Sequence, residues 1–120
     1  MTDQPTKATL ADGGDEWRLP SGQWHRVHGP AITYPDGTDF WYQHGERHRV
    51  DGPAITSPDG YEAWWQQGKL HRVGGPAVTY LDGDREWWIN GAQVTEFEHA
   101  VVARVHAITE QGHSPELPQS

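Results

Sequence analysis

The sequence contains no cysteine and no long apolar run. The absence of cysteine excludes disulfide bonds, thiolate metal sites and cysteine nucleophiles together. No segment approaches the roughly 20 apolar residues that a membrane-spanning helix needs, and the N-terminal residues lack the charged and apolar regions of a secretory signal. We therefore expect a soluble, cytoplasmic protein whose stability comes from packing.

Positive charge is also scarce. Nine Lys and Arg stand against 17 Asp and Glu, which gives a net charge of −8 over 120 residues. This balance disfavours binding to a nucleic-acid backbone or to an anionic membrane, since both carry negative charge. It leaves open a role as an acidic mimic of DNA. The carboxylates of this chain are, however, interspersed with Arg. The length allows one small domain.

What the sequence does contain is an internal repeat with a period of 23 residues. Three segments align without a gap: HRVHGPAITYPDG from His25, HRVDGPAITSPDG from His48 and HRVGGPAVTYLDG from His71. An aromatic segment follows each of them, and a degenerate aromatic segment, residues 15–24, precedes the first. A fixed period of this size predicts a stack of similar units, to which we assign residues 15–93.

Each repeat predicts two short strands joined by turns. The first strands are residues 30–34, 53–57 and 76–80, and the second strands are residues 39–43, 62–66 and 85–89. Asp-Gly turns with a bulge join the two strands, and Gly45, Gly68 and Gly91 permit the reversal after the second. The predicted fold is mainly β. It is a single-layer antiparallel β-hairpin solenoid in which equivalent residues of successive repeats lie roughly 10 Å apart.

The C-terminal part of the sequence changes to the period of an amphipathic helix. Thr95 and Glu98 have the spacing of a capping box. One helix face would consist of Phe97, Val101, Arg104 or Val105, and Ile108. We predict a capping helix over residues 94–112 whose apolar face covers the last hairpin, and disordered tails at residues 1–14 and 113–120.

The repeat resembles the MORN repeat, in which an aromatic residue lies three positions before a glycine and a histidine three positions after it. The matching triplets are Trp65, Gly68, His71; Tyr42, Gly45, His48; and, in part, Leu19, Gly22, His25. The HRVxGPA segment resembles a divergent variant familiar from phage and bacterial proteins, some of them described as antitoxin-like. The resemblance implies a rod of β-hairpins that serves protein association, often dimerisation, with lipid binding proposed for some eukaryotic members. It carries over no catalytic motif.

The aromatic residues of the repeats form two adjacent columns, and neighbours along a strand face opposite ways. We assign to the core the column Tyr42, Trp65, Trp88. We predict an exposed, partner-binding ladder from the column Trp41, Trp64, Trp87. Two alternatives stay open: the thin sheet covers both faces with aromatic residues, or arginine side chains lie over the rings.

Each complete repeat also opens with a His-Arg pair. The histidines His25, His48 and His71 lie too far apart to share an ion, so we predict no metal site and a structural role in bonding a turn carbonyl. The arginines would recognise a carboxylate or phosphate of a partner, and they are Arg26, Arg49 and Arg72. The alternative is that these arginines pair with nearby acids of the same period, which are Asp36, Asp59 and Asp82, or Asp39 and Glu62.

The sequence offers no catalytic arrangement, because none of its few serines lies in a nucleophile elbow or recurs beside a histidine. We predict no enzyme and no cofactor, but a non-catalytic protein–protein interaction module that uses the Trp and Arg columns. On the resemblance, it is a phage or bacterial regulator that binds and inhibits a toxin or defence protein. Two further possibilities are a sponge that binds a nucleotide or other small anionic ligand through the same columns, and homodimerisation through the hairpin edge at residues 16–24.

Overall fold

A computed structural model of the chain describes residues 4–110. The fold is mainly β, with antiparallel hairpins and one C-terminal helix. The strands are β1 (Thr6–Thr9), β2 (Asp15–Arg18), β3 (Ile32–Thr33), β4 (Asp39–Phe40), β5 (Tyr42–Gln43), β6 (Glu46–Arg47), β7 (Ile55–Thr56), β8 (Glu62–Ala63), β9 (Trp65–Gln66), β10 (Lys69–Leu70), β11 (Val78–Thr79), β12 (Arg85–Ile89) and β13 (Ala92–Val94). The helix α1 is Glu96–Glu110, so it begins two residues later than predicted, after the end of β13 at Val94. Residues 111 and 112 of the predicted helix and the tail expected at residues 113–120 lie outside the described residues.

Nine strands form one antiparallel sheet in the order β1-β2-β3-β4-β7-β8-β11-β12-β13. The pairs β5–β6 and β9–β10 form small hairpins outside it. The molecule is 19 Å thick along its shortest axis. The predicted second strands are interrupted at Trp41 and Trp64, where the chain leaves the main sheet for a small hairpin, whereas the third continues as β12.

Four Asp-Gly turns close the hairpins of the main sheet in the same way. In each turn the glycine has a positive φ, and the aspartate side chain accepts a hydrogen bond from the N–H two residues later. The backbone N–H of Thr38, for example, lowers the pKa of Asp36. The four aspartates are Asp12, Asp36, Asp59 and Asp82. These acids therefore stabilise turns, and the structure records none of them as an ion-pair partner of the arginine column.

The expectation of a disordered tail over residues 1–14 was wrong for the described part of that segment. Residues 6–14 form β1 and the first Asp-Gly turn, and β1 pairs with β2. The segment Thr9-Leu10-Ala11-Asp12-Gly13 matches Thr33-Tyr34-Pro35-Asp36-Gly37, but the spacing exceeds the repeat period by a single position. An additional half-repeat therefore precedes β2, and β1, not the segment at residues 16–24, is the N-terminal edge of the main sheet.

The core is small and follows the HRVxGPA motif. Ala31, Ala54 and Ala77 have no exposed surface. Large apolar side chains pack around them from the next residues and from the second strands, among them Ile32, Tyr42, Ile55 and Val78. Neighbouring atoms therefore enclose these small side chains completely. The motif therefore contributes one completely buried side chain in each complete repeat.

The helix α1 begins at the predicted capping box. Thr95 Oγ1 accepts from the Glu98 N–H at 3.0 Å, and Glu98 Oε1 accepts from the Thr95 N–H at 2.8 Å. The predicted packing of the helix was wrong, however, because Phe97 is 77% exposed and the rest of the apolar face is exposed as well. The residue that is buried against the sheet is His99, which is about 200° around the helix from Phe97.

Candidate functional site

Arginine and tryptophan side chains form three repeated stacks on the molecule. The guanidinium carbon of Arg72 lies 3.8 Å from the centre of the Trp64 ring, and that of Arg49 lies 3.9 Å from the Trp41 ring. Such cation–π contacts stabilise a half-buried guanidinium. The third stack joins Arg26 to Trp17 at 4.4 Å. Of the arrangements left open by the sequence, the contacts therefore match the one in which arginines lie over the rings.

The glycine and proline of HRVxGPA allow each arginine to fold back over its tryptophan. A Cβ atom at Gly52 would lie 2.6 Å from the guanidinium carbon of Arg49, so only glycine leaves room for it. The Nη1 group of Arg49 donates to the carbonyl oxygen of Pro53 at 3.2 Å. The same contacts recur at Gly29 and Gly75. A partner would thus meet the edge of each guanidinium, not a freely projecting fork.

Trp17 holds the position in the first repeat that Trp41 and Trp64 hold in the next two, although a strict period of 23 residues would place Arg18 there. The backbone N–H of Trp17 donates to the carbonyl oxygen of Ala31 at 2.7 Å, as the backbone N–H of Trp41 does to Ala54 and that of Trp64 does to Ala77. Trp17 was not predicted as a site residue because the first repeat is one residue longer than the others. The sequence signal that would have revealed Trp17 is the Asp12-Gly13 turn. It precedes Asp36-Gly37 by one residue more than the repeat period.

Burial does not divide the two aromatic columns into an inner and an outer one. Tyr42 is buried, but Trp65 and Trp88 are only partly buried. Trp41, Trp64 and Trp87 are also partly buried, and the first two are covered by arginines. In two of the repeats the alternation of a strand fails because the chain bends out of the main sheet at Trp41 and Trp64. The predicted ladder is thus a row of partly covered rings.

In the described part of the chain, Trp87 lacks an arginine placed like those over Trp17, Trp41 and Trp64. The position one full repeat after Arg72 is Thr95, which caps α1, and the nearest recorded guanidinium is that of Arg85 at 5.7 Å. Burial lowers the pKa of Arg72 itself, while the neighbouring Glu62 acts in the opposite direction. An arginine so placed stays charged at neutral pH.

The histidine column stabilises the second turn of each repeat. The Nδ1 atoms of His25, His48 and His71 each accept a hydrogen bond at 3.0 Å, from the N–H groups of His44, Gln67 and Asn90. The partner is therefore a backbone N–H and not the carbonyl that the sequence analysis expected. The three donors begin two-residue turns that end at Gly45, Gly68 and Gly91, and both residues of each turn have positive φ, as in type I′ hairpins.

No three metal-ligating side chains lie together anywhere in residues 4–110. No helix in the same range is long and apolar enough to cross a membrane.

Two clefts lie beside the first and third stacks, at equivalent places in the repeat. The N-terminal cleft, of about 490 Å³, is lined by Gln4, Pro5, Trp17, His25, Arg26, Val27, His28 and His44. The C-terminal cleft, of about 440 Å³, is lined by Val50, Trp64, Gln66, His71, Arg72, Val73, Gly74 and His106. Their shared wall consists of the Arg–Trp stack and the column histidine.

The helix α1 presents a second candidate surface. We call the α1 stripe the four residues Phe97, Val101, Val105 and Ile108, which are 77%, 49%, 46% and 39% exposed. They lie on one helix face because their spacing is four, four and three residues. The opposite face carries His99, whose Nε2 lies 2.7 Å from the carbonyl oxygen of Arg72.

Comparisons of the chain with protein-family models, with curated proteins and with solved structures found no match in any of the three.

Proposed function

We propose that the chain is a non-catalytic, MORN-like β-hairpin solenoid that binds a protein partner, and that the partner covers the α1 stripe. The observation that carries the proposal is the solvent exposure of four large apolar side chains on one helix face. Single exposed apolar residues are common on protein surfaces, but a continuous patch of this kind is typical of interaction sites.

The pattern of the stripe favours a partner that offers an apolar groove. Helices that bind in grooves use anchors three or four residues apart, as the stripe does. From the exposed fractions of its side chains, the stripe presents roughly 400 Å² of apolar surface, which is within the range of functional patches. Because the net charge of the chain is −8, we expect basic residues at the border of the partner's groove.

The repeat supports the solenoid part of the proposal. Equivalent backbone hydrogen bonds recur once in every repeat, such as those from Arg26 to Tyr42, from Arg49 to Trp65 and from Arg72 to Trp88. The narrower proposal, that the partner is a toxin or defence protein inhibited in a phage or bacterial setting, rests on the resemblance of HRVxGPA to antitoxin-like proteins.

The first test of the proposed surface measures self-association. Size-exclusion chromatography with light scattering should give the monomer mass of 13.5 kDa for the wild type and for the variant Val101→Ser/Ile108→Ser. A wild-type dimer that this variant abolishes would show that a second copy covers the stripe, and would overturn the assignment to a different protein.

The second test measures binding. A protein captured from the native host is purified and titrated by calorimetry against three chains: the wild type, Val101→Ser/Ile108→Ser, and the control Val50→Ser. Val50 is 66% exposed but lies outside the stripe. We expect the stripe variant to lose at least tenfold in affinity and the control to bind like the wild type. Equal binding by all three would overturn the proposal.

A further inference from the structure

The two clefts allow a comparison within one chain, because the same positions of the repeat line both of them. The variable position of HRVxG is His28 in the first copy, Asp51 in the second and Gly74 in the third. The first residue of the type I′ turn is His44, Gln67 and Asn90 in the same order. Both variable positions are histidine only in the copy that lines the N-terminal cleft.

The backbone conformation does not require either of these two histidines; the ring of His44 contacts that of His25, with 4.4 Å between the ring centres. Gln67 and Asn90 adopt φ values of 51° and 49° at the turn, almost the same as the 50° of His44. The bond that His44 makes to the column histidine uses its backbone N–H, which Gln67 and Asn90 supply equally well. Because Asn is favoured over His in this turn, the imidazole of His44 is not explained by backbone conformation.

The change at His28 alters the charge around the arginine of the stack. In the second copy the Nε of Arg49 lies 3.1 Å from Oδ1 of Asp51, so a carboxylate offsets the guanidinium charge. His28 holds this position beside Arg26 and cannot form such an ion pair. Among the residues that the structure describes, the lining of the N-terminal cleft contains one arginine and three histidines but no carboxylate, in a chain with 17 acidic residues; the lining of the C-terminal cleft contains one arginine and two histidines, likewise without a carboxylate.

The shape and chemistry of this lining suit a particular class of ligand. A cleft of about 490 Å³ is of the size that holds a small molecule. The guanidinium edge and imidazole N–H groups can donate hydrogen bonds to an anion. The aromatic rings of Trp17 and His44, which also contact Arg26 and His25, line the same cleft and can contact a planar group. The described residues contain no group of three side chains placed to hold a metal ion.

From these observations we propose that the N-terminal cleft binds a small planar molecule that carries a phosphate group, such as a nucleoside monophosphate. Arg26 and His28 receive the phosphate, and Trp17 and His44 contact the planar group. This site is separate from the α1 stripe, which belongs to the other end of the molecule.

The test converts the first copy into the second one. The variant His28→Asp/His44→Gln carries residues that the second repeat already uses, so its fold should persist, and circular dichroism verifies this. Adenosine monophosphate is titrated into the full-length chain by calorimetry. We expect wild type to bind it and the variant to bind it at least tenfold more weakly. The control Val101→Ser/Ile108→Ser should bind like the wild type.

Two further titrations separate the parts of the ligand. Adenosine and inorganic phosphate should each bind more weakly than adenosine monophosphate by at least tenfold. Adenosine binding as tightly as the monophosphate would overturn the anion site, and phosphate binding as tightly would overturn the stacking site. No binding of the monophosphate at millimolar concentration, or equal binding by wild type and the His28→Asp/His44→Gln variant, would overturn the proposal as a whole. Binding by the α1 stripe variant keeps this test independent of the proposed protein partner.

Discussion

The Nε2 atom of His99 lies 2.7 Å from the carbonyl oxygen of Arg72. Since a carbonyl only accepts, the imidazole donates this hydrogen bond and ties α1 to the last HRVxGPA segment. His99 is 4% exposed, whereas Phe97, two residues earlier, is 77% exposed. A buried polar contact is thus associated with the outward orientation of the α1 stripe.

Replacement of His99 should weaken the attachment of the helix. His99→Ala removes the donor to the Arg72 carbonyl and leaves a gap, so we expect a loss of roughly 1–3 kcal/mol in the free energy of unfolding. Urea denaturation measures it. Arg104→Ala, at an exposed position of the same helix, should change stability by less than about 0.5 kcal/mol. Equal effects of the two substitutions would contradict a specific role for His99.

Because of the Arg–Trp stack, a methyl group added at Gly52 should lower the free energy of unfolding only when Arg49 is present. Gly52→Ala alone places a Cβ 2.6 Å from the guanidinium carbon and displaces it from Trp41. We expect a loss of roughly 1–2 kcal/mol, the size of a partly desolvated cation–π contact. In an Arg49→Ala background the same change should be neutral or stabilising, because alanine restricts the unfolded chain.

A double-mutant cycle on urea unfolding measures this coupling between Gly52 and Arg49. Additive effects of the two substitutions would contradict the explanation that Gly52 makes room for the guanidinium of Arg49.

Acid should destabilise the protein through His71. Burial, together with the charges of His106 and His99, lowers the pKa of His71 below its ordinary value. The unfolded chain therefore binds a proton more readily than the folded one. The stability that His71 contributes is fully present above the unfolded pKa of about 6.5 and is lost as pH falls through that value towards the lower folded pKa.

Protonation at Nδ1 would also remove the acceptor for the Asn90 N–H. Thermal unfolding between pH 8 and 5 checks the prediction: the wild type should lose melting temperature, and His71→Gln should lose less of it. A variant with the same pH profile as the wild type would show that other groups are responsible.

A substitution at the first residue of a type I′ turn should raise the stability of the protein. Gln67 has a φ of 51°, in the left-handed region that asparagine tolerates better than glutamine. Gln67→Asn should therefore stabilise the protein by up to about 1 kcal/mol, and the reciprocal Asn90→Gln should destabilise it by a similar amount. Differential scanning calorimetry of the two variants gives both values. Shifts of the same sign would contradict the explanation.

Sequence reasoning performed well where the structure depends on neighbouring residues. The antiparallel hairpins, the Asp-Gly turns, the glycine reversals and the Thr95–Glu98 capping box all involve groups within a few positions of each other. It failed at the half-repeat before β2, because an ungapped comparison cannot register a spacing that is one position longer than the others. It also failed at α1, since periodicity shows which residues share a face but not which way that face turns.

The sequence by itself determined the repeat, the mainly β class and the positions of the turns, because these follow from short-range chemistry copied three times along the chain. Tertiary structure decided that the arginines cover the tryptophans, that the column histidines accept backbone N–H groups 19 residues away, and that His99 is buried while Phe97 is exposed. Those outcomes depend on contacts between segments that are distant in the chain, and no local pattern encodes such contacts.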